Sequence, residues 1–108
     1  MKSLKENYEF KRAYSRGKSF VSSCVVTYCV KRKYGGIRVG IKTGKKIGCA
    51  VERNRSRRLI RAAFRELEPS LSGSWDIVFV ARVRTANEKM QIVREQIRDH
   101  LGRAGVLL

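Results

Sequence analysis

Acidic residues are scarce in this chain. Nine Asp and Glu stand against 25 Lys and Arg over 108 residues, a formal net charge of +16. So large an excess of one sign opposes compaction by self-repulsion until a polyanion neutralises it. Nucleic acid is therefore the leading candidate partner, ahead of an anionic membrane surface. Proline occurs once and apolar residues make up 43% of the chain, which excludes a disordered segment and fits a globular one. The length allows one core and not two, so residues 1–108 are read as a single domain. No apolar run approaches the roughly 20 residues that a membrane span needs. The opening MKSLKENYEF turns polar at once and carries no signal-peptide apolar stretch, so a cytoplasmic location is expected and no membrane partner.

Metal ligands and nucleophile–base pairs are equally thin. The three cysteines, Cys24, Cys29 and Cys49, are odd in number and lack paired spacing, so a disulfide framework is not suggested. Zinc normally takes four Cys or His ligands, and neither Cys49 nor the lone His100 falls in a CxxC or HxxxH pattern. The cysteines read as small buried or half-buried side chains, and no zinc is expected. His100 reads as a helix-surface or edge residue. The acids are scattered and form no motif for two-metal phosphodiester cleavage. Gly35-Gly36 and Gly44 occur in no phosphate-loop pattern. No catalytic residue is expected in this chain acting alone.

What is present is regular. A first helix ends at Gly17, starting from either a Ser3/Glu6 capping box or an Asn7 cap. Residues 20–34 read as a strand, with Val26, Tyr28 and Val30 alternating against Val25, Thr27 and Cys29. Gly35-Gly36 suit a tight hairpin into a return strand that places Ile37, Val39 and Ile41 on one side and Arg38, Gly40 and Lys42 on the other. A short third strand is expected through Ile47 to Ala50. A helix follows whose buried stripe is Ile60, Ala63, Phe64 and Leu67, and Pro69 lies in the loop that ends it. WDIVFVAR is nearly continuous in apolar character, hence a central strand. Thr85 with Glu88 suggests a cap on the last helix, where Met90, Val93, Ile97 and Leu101 line the core face. The order is α-β-β-β-α-β-α, an α+β two-layer sandwich with its helices expected on one side of a mixed sheet.

The middle helix holds the strongest signal. Arg53, Arg55, Arg57, Arg58, Arg61 and Arg65 fall within thirteen residues that contain no acid. A solvated helix surface would show mixed signs and i,i+4 salt partners. Arginine's planar fork matches phosphate at two points. The apolar stripe is needed for the core, which argues against a membrane-surface helix. Neither a helix-turn-helix nor a dimer seam for DNA is apparent. RNA fits better, because its unpaired bases stack on aromatic side chains. Phe10 and Tyr14, four apart on one helix face, and Tyr28 on the neighbouring strand are candidates for that stacking; ordinary core packing is the other reading of them.

The run RVGIKTGKKIGCAVERNRSRRLIRAAFRE, with Lys45-Lys46-Ile47-Gly48 leading into Arg53-Asn54-Arg55, resembles the signature segment of the bacterial ribonuclease P protein family. The resemblance extends from about Leu4, through YEFKRAYSRGKSF, to the last helix. It implies a fold like the second domain of ribosomal protein S5, with a rare left-handed βαβ crossover through the arginine helix. It implies a protein subunit of a ribonucleoprotein in which the RNA is the catalyst. That assembly removes the 5′ leader of precursor tRNA by metal-dependent hydrolysis, with Mg2+ held chiefly by the RNA subunit and the substrate. By the same resemblance Lys45, Lys46, Arg53, Asn54, Arg55, Arg57, Arg58 and Arg61 are RNA-contacting, and Phe10, Tyr14 and Tyr28 line a leader-binding cleft. The chain departs from the family pattern at Lys42, Thr43, Gly44 and Cys49; of these, Lys42 would add charge to the same face. An S5-like RNA-binding protein with no role in cleavage, and an autonomous nuclease, are the alternatives.

Overall fold

The computed structural model describes residues 2–107. Five strands, β1 (Lys2–Ser3), β2 (Lys18–Val21), β3 (Val25–Lys31), β4 (Ile37–Lys42) and β5 (Trp75–Ala81), form one mixed sheet in the order β1-β4-β5-β3-β2. Three helices, α1 (Asn7–Arg16), α2 (Ala50–Leu67) and α3 (Met90–Ala104), pack against it. The expected α+β class is therefore observed. β5 is central, parallel to β4 and antiparallel to β3, as its apolar run predicted. α2 is the connection between the parallel neighbours β4 and β5.

The helices do not share one side of the sheet. α2 contributes Ile60, Ala63, Phe64 and Leu67, and α3 contributes Val93, Ile97 and Leu101, to a core over Val25, Cys29, Val39, Ile77 and Phe79. α1 lies on the opposite face, where Leu4, Phe10 and Ala13 pack on Val78 with Tyr28, Val30 and Val80 around them. The alternation read from β3 and β4 is what separates these faces: odd residues of β3 go under α2 and α3, even ones face the side that α1 partly covers.

Several local expectations give way to longer-range pairing. Residues 20–34 are two strands, because the chain reverses at Ser22–Cys24, closed by Ser22 N–H to the Val25 carbonyl at 2.9 Å. Gly35 and Gly36 do take positive φ, 101° and 76°, but they close no hairpin: β5 inserts between β3 and β4. The stretch Ile47–Ala50 is not a strand. Lys45–Ile47 is a 3-10 turn anchored by buried Ile47, and Gly48 at φ 128° turns the chain into α2. Only glycine holds that conformation cheaply.

Two caps also differ. The cap of α1 is Glu6, whose N–H donates to the Glu9 carboxylate at 2.9 Å; Ser3 belongs to β1, and Gly17 ends the helix in extended backbone at φ −78°. Thr85 does not cap α3, which begins five residues later at Met90. Its hydroxyl instead donates to the Cys24 carbonyl and accepts the Arg82 N–H at 2.9 Å, stapling two distant loops.

Candidate nucleic-acid interface

α2 starts from Cys49, whose N–H and Sγ both lie 3.5 Å from the Glu52 carboxylate. The helix then runs with Ser56, Ile60, Ala63, Phe64 and Leu67 buried. At about 3.6 residues per turn, Arg53, Asn54, Arg57, Arg58, Arg61 and Arg65 fall within an arc of about 140°, alongside that stripe. Arg55 falls roughly 60° beyond the arc and is separate from the ridge. Among the described residues none of these six arginines is in an ion pair. The acids of α2 are engaged elsewhere: Glu52 turns back to the cap, and Glu66 accepts from Arg94 at 3.1 Å. Asn54, Arg57, Arg58 and Arg61 line one shallow depression with Val51, which is 64% exposed. The ridge is thus a set of unneutralised guanidiniums held on a rigid helix.

The aromatic residues sit on the other face. Phe10 is only 7% exposed and closes over Gly40, where a Cβ would come within 2.5 Å of its ring. Lys42 Nζ lies 4.2 Å from the Phe10 ring centroid, a cation–π contact, so this lysine serves the aromatic side and not the arginine ridge. Tyr14 is 41% exposed and meets half-buried Tyr28 edge to face at 5.0 Å. Burial and the neighbouring Tyr28 raise the Tyr14 pKa, which keeps its hydroxyl protonated. Phe10 is therefore mainly a packed wall, while Tyr14 offers ring surface to solvent.

Beyond these rings α1 leaves part of the sheet open. Val26 and Val80, directly paired across β3 and β5, lie in a groove with Val21 and Val83; Lys45, Lys46 and Arg82 border it. Val80 also packs against the Phe10 cluster, so groove and aromatics are continuous. Sequence reasoning did not single out Val26, Val80 or Arg82. Their signal is a pairing between distant strands, which no local pattern contains. Arg57 and Arg61 share a further depression with Phe10, Gly40 and Ile41 at the β1–β4 side of the sheet, where ridge and aromatic face approach each other. Lys45 and Lys46 meet the groove, Asn54 and Arg58 only the ridge, and Arg53 and Arg55 line neither depression.

Buried polar groups fix α1 in place. Asp76, 1% exposed, takes hydrogen bonds from Arg38 at 2.8 Å and Arg12 at 3.0 Å, and Arg38 also pairs with Glu9. His100 is fully buried, contrary to its reading as a surface residue: Ser22 Oγ and Thr27 Oγ1 each lie 2.7 Å from one of its ring nitrogens. Burial lowers its pKa and keeps the ring neutral. Cys24 and Cys29 are buried, the Cys29 thiol pushed up to about 12 by burial, whereas Cys49 is exposed. No group of three His, Cys, Asp or Glu among the described residues is placed to hold a metal ion. No helix among them is long and apolar enough to cross a membrane.

The Ribonuclease P family profile matches residues 1–105. The ribonuclease P protein component of Clostridioides difficile is 37% identical over 106 residues, covering 97% of this chain and 93% of that protein. That of Thermoanaerobacter sp. is 40% identical over 95 residues, covering 88% and 82%. Among solved structures, the Staphylococcus aureus RNase P protein superposes with a TM-score of 0.86 at 28% identity, covering 100% and 99% of the two chains. The Thermotoga maritima RNase P protein does so with 0.82 at 26%, covering 95% and 97%. The fold matches that of RNase P proteins, and the chain belongs to the ribonuclease P protein family.

Proposed function

We propose that this chain is an RNA-binding subunit that assembles with a catalytic RNA and holds the 5′ leader of precursor tRNA while the RNA cuts it. The observation that carries the reading is that all six α2 arginines are unpaired among the described residues, in a chain that pairs Arg12, Arg38, Arg94, Arg98 and Arg103 with acids. Unpaired guanidiniums on one helix repel each other, and a phosphate backbone relieves that repulsion while releasing its own counterions. Arg53, Asn54, Arg57, Arg58 and Arg61 contact the catalytic RNA, with Arg55 in a separate contact and Lys45 and Lys46 reaching toward the leader.

The leader lies along the Val26–Val80 groove beside Tyr14 and Tyr28. Stacking on the exposed Tyr14 ring tolerates any base, since every base has a π-face. Phe10 supports this surface from beneath. Lys42, Lys45, Lys46 and Arg82 supply positive charge along the strand's phosphates. Mg2+ enters with the RNA subunit and the substrate, where it supplies the charge stabilisation that phosphodiester hydrolysis needs. The chain's own work is binding and orientation.

Reconstitution at low magnesium tests this. Adding the protein to the catalytic RNA is expected to raise cleavage of precursor tRNA, whereas an S5-like structural protein would leave it unchanged. Protein freed of RNA is expected to be inactive; cleavage by it would establish an autonomous nuclease. If about five phosphates are neutralised, log affinity falls with log salt at a slope of roughly −3.5 to −4.5. A slope near zero rejects the electrostatic part.

A further inference from the structure

A second cationic surface lies at the opposite end of the sheet from Lys45 and Lys46. The segment between β3 and β4 must step over the start of β5, and it does so in a fixed shape. Arg32 N–H donates to the Ser74 carbonyl at 2.8 Å, Gly36 N–H to Ser74 Oγ at 3.0 Å, and Trp75 N–H to the Gly36 carbonyl at 3.2 Å. Arg32 turns inward to the Gly36 carbonyl at 3.3 Å and to Asp76 at 3.6 Å. Lys31, Lys33 and Tyr34 are exposed, Tyr34 at 79%.

Arg16 and Lys18 stand at the same corner, because β2 begins there opposite Cys29. None of Arg16, Lys18, Lys31 and Lys33 has an acid partner among the described residues. The acid at this corner, Asp76, is already saturated by three arginines. Glu68 is turned to a separate depression with Ile37 and Leu71. Unpaired lysines around a solvent-facing aromatic ring match RNA, which offers phosphate to the first and a base face to the second.

From this geometry we infer that the 31–36 segment is a second anchor for the catalytic RNA, independent of the α2 ridge. This rests on the reading that the chain assembles with such an RNA. The leader is not the occupant: its groove is at the far end of β4, about 17 Å away at roughly 3.3 Å per residue. α1 stands between, its Arg12 bonded to Asp76. A large folded RNA reaches both places, and gripping the domain at two ends also fixes its orientation.

The test is the affinity of the full-length chain for the catalytic RNA, measured across salt concentrations. The chains compared are wild type, the double variant K31A/K33A, the single variant Y34A, and a control, K89A/R98A, on α3. Circular dichroism confirms that each is folded. K31A/K33A is expected to make the log–log salt slope shallower by about 1.4 to 1.8, the share of two phosphates. Y34A is expected to weaken binding about fivefold or more with the slope kept, and the control to keep the wild-type slope. The preference for leader-bearing over mature tRNA stays as in wild type. A wild-type slope in K31A/K33A overturns the inference, and so does a loss confined to leader-bearing substrate. If wild type itself binds the catalytic RNA without salt dependence, the underlying functional reading falls too, which the wild-type arm alone reveals.

Discussion

Arg38 grips Asp76 at two points, with Nε 2.8 Å from Oδ1 and Nη2 2.8 Å from Oδ2. Arg12 and Arg32 converge on the same carboxylate, so α1, the 31–36 segment and β4 are all tied to the start of β5.

Burial by itself would raise the Asp76 pKa, but the hydrogen bonds from Arg38 and Arg12 outweigh it and hold the carboxyl below its usual range. A depressed carboxyl contributes stability above about pH 4, its unfolded value, and loses it as pH falls through the lower folded value. Asp76→Asn is expected to cost about 2–3 kcal/mol near neutral pH, because Arg12 and Arg32 lose their counter-charge and Arg38 keeps only Glu9. Thermal melts should show that deficit shrinking toward pH 2. A deficit constant with pH would mean that the charge of Asp76 is not what stabilises.

His100 titrates in a different window. Its folded pKa lies below the ordinary value of about 6.5, chiefly through burial. Below about pH 6.5 the unfolded chain takes up a proton that the folded one refuses, so stability falls with pH until the folded pKa is reached. His100→Gln is expected to lose that part of the difference in melting temperature between pH 7 and pH 5. An unaltered difference would remove His100 as its source.

Gly40 tests the support of the aromatic wall. A Cβ there would stand 2.5 Å from the Phe10 ring, so Gly40→Ala must displace the ring and is expected to cost about 1–3 kcal/mol. Gly44→Ala has open space and should stay within about 0.5 kcal/mol of wild type. Equal melting temperatures for the two variants would show that Phe10 is free to move.

Tyr14→Ala is expected to weaken binding of leader-bearing precursor tRNA by about 1–3 kcal/mol, the worth of one stacked base. Binding of mature tRNA should be unchanged. Equal losses for both substrates would reduce Tyr14 to a packing residue.

The ridge geometry separates arginines that the sequence lists side by side. Arg58→Ala and Arg61→Ala, both in the depression with Asn54, are expected to weaken assembly with the catalytic RNA more than Arg55→Ala does. Binding curves at one salt concentration decide it, and a larger loss for Arg55 would mean that the RNA approaches from another side.

Much of this was legible in the chain because it depends on neighbours. The stripe Ile60, Ala63, Phe64, Leu67 and the alternation in β3 and β4 follow from side-chain direction along one element, as does the crowding of arginines beside that stripe. The central place of β5 followed from its apolar run. What depended on distant segments was not legible. Gly35-Gly36 carried a sound turn signal, yet whether β3 pairs with β4 is decided by β5, which arrives some forty residues later. His100 looked like a surface residue because Ser22, in the turn between β2 and β3, and Thr27, on β3, satisfy its ring and meet it only after folding.

The amino-acid order alone therefore determined the charge, the three helices, the central strand and the cationic ridge, since these need only short-range sterics and 3.6- or 2-residue periods. Tertiary structure decided that α1 takes the far face, that Val26 meets Val80 to floor a groove, and that one buried aspartate collects three arginines. Those outcomes come from strand pairing and burial, which join residues whose separation along the chain leaves no periodic trace.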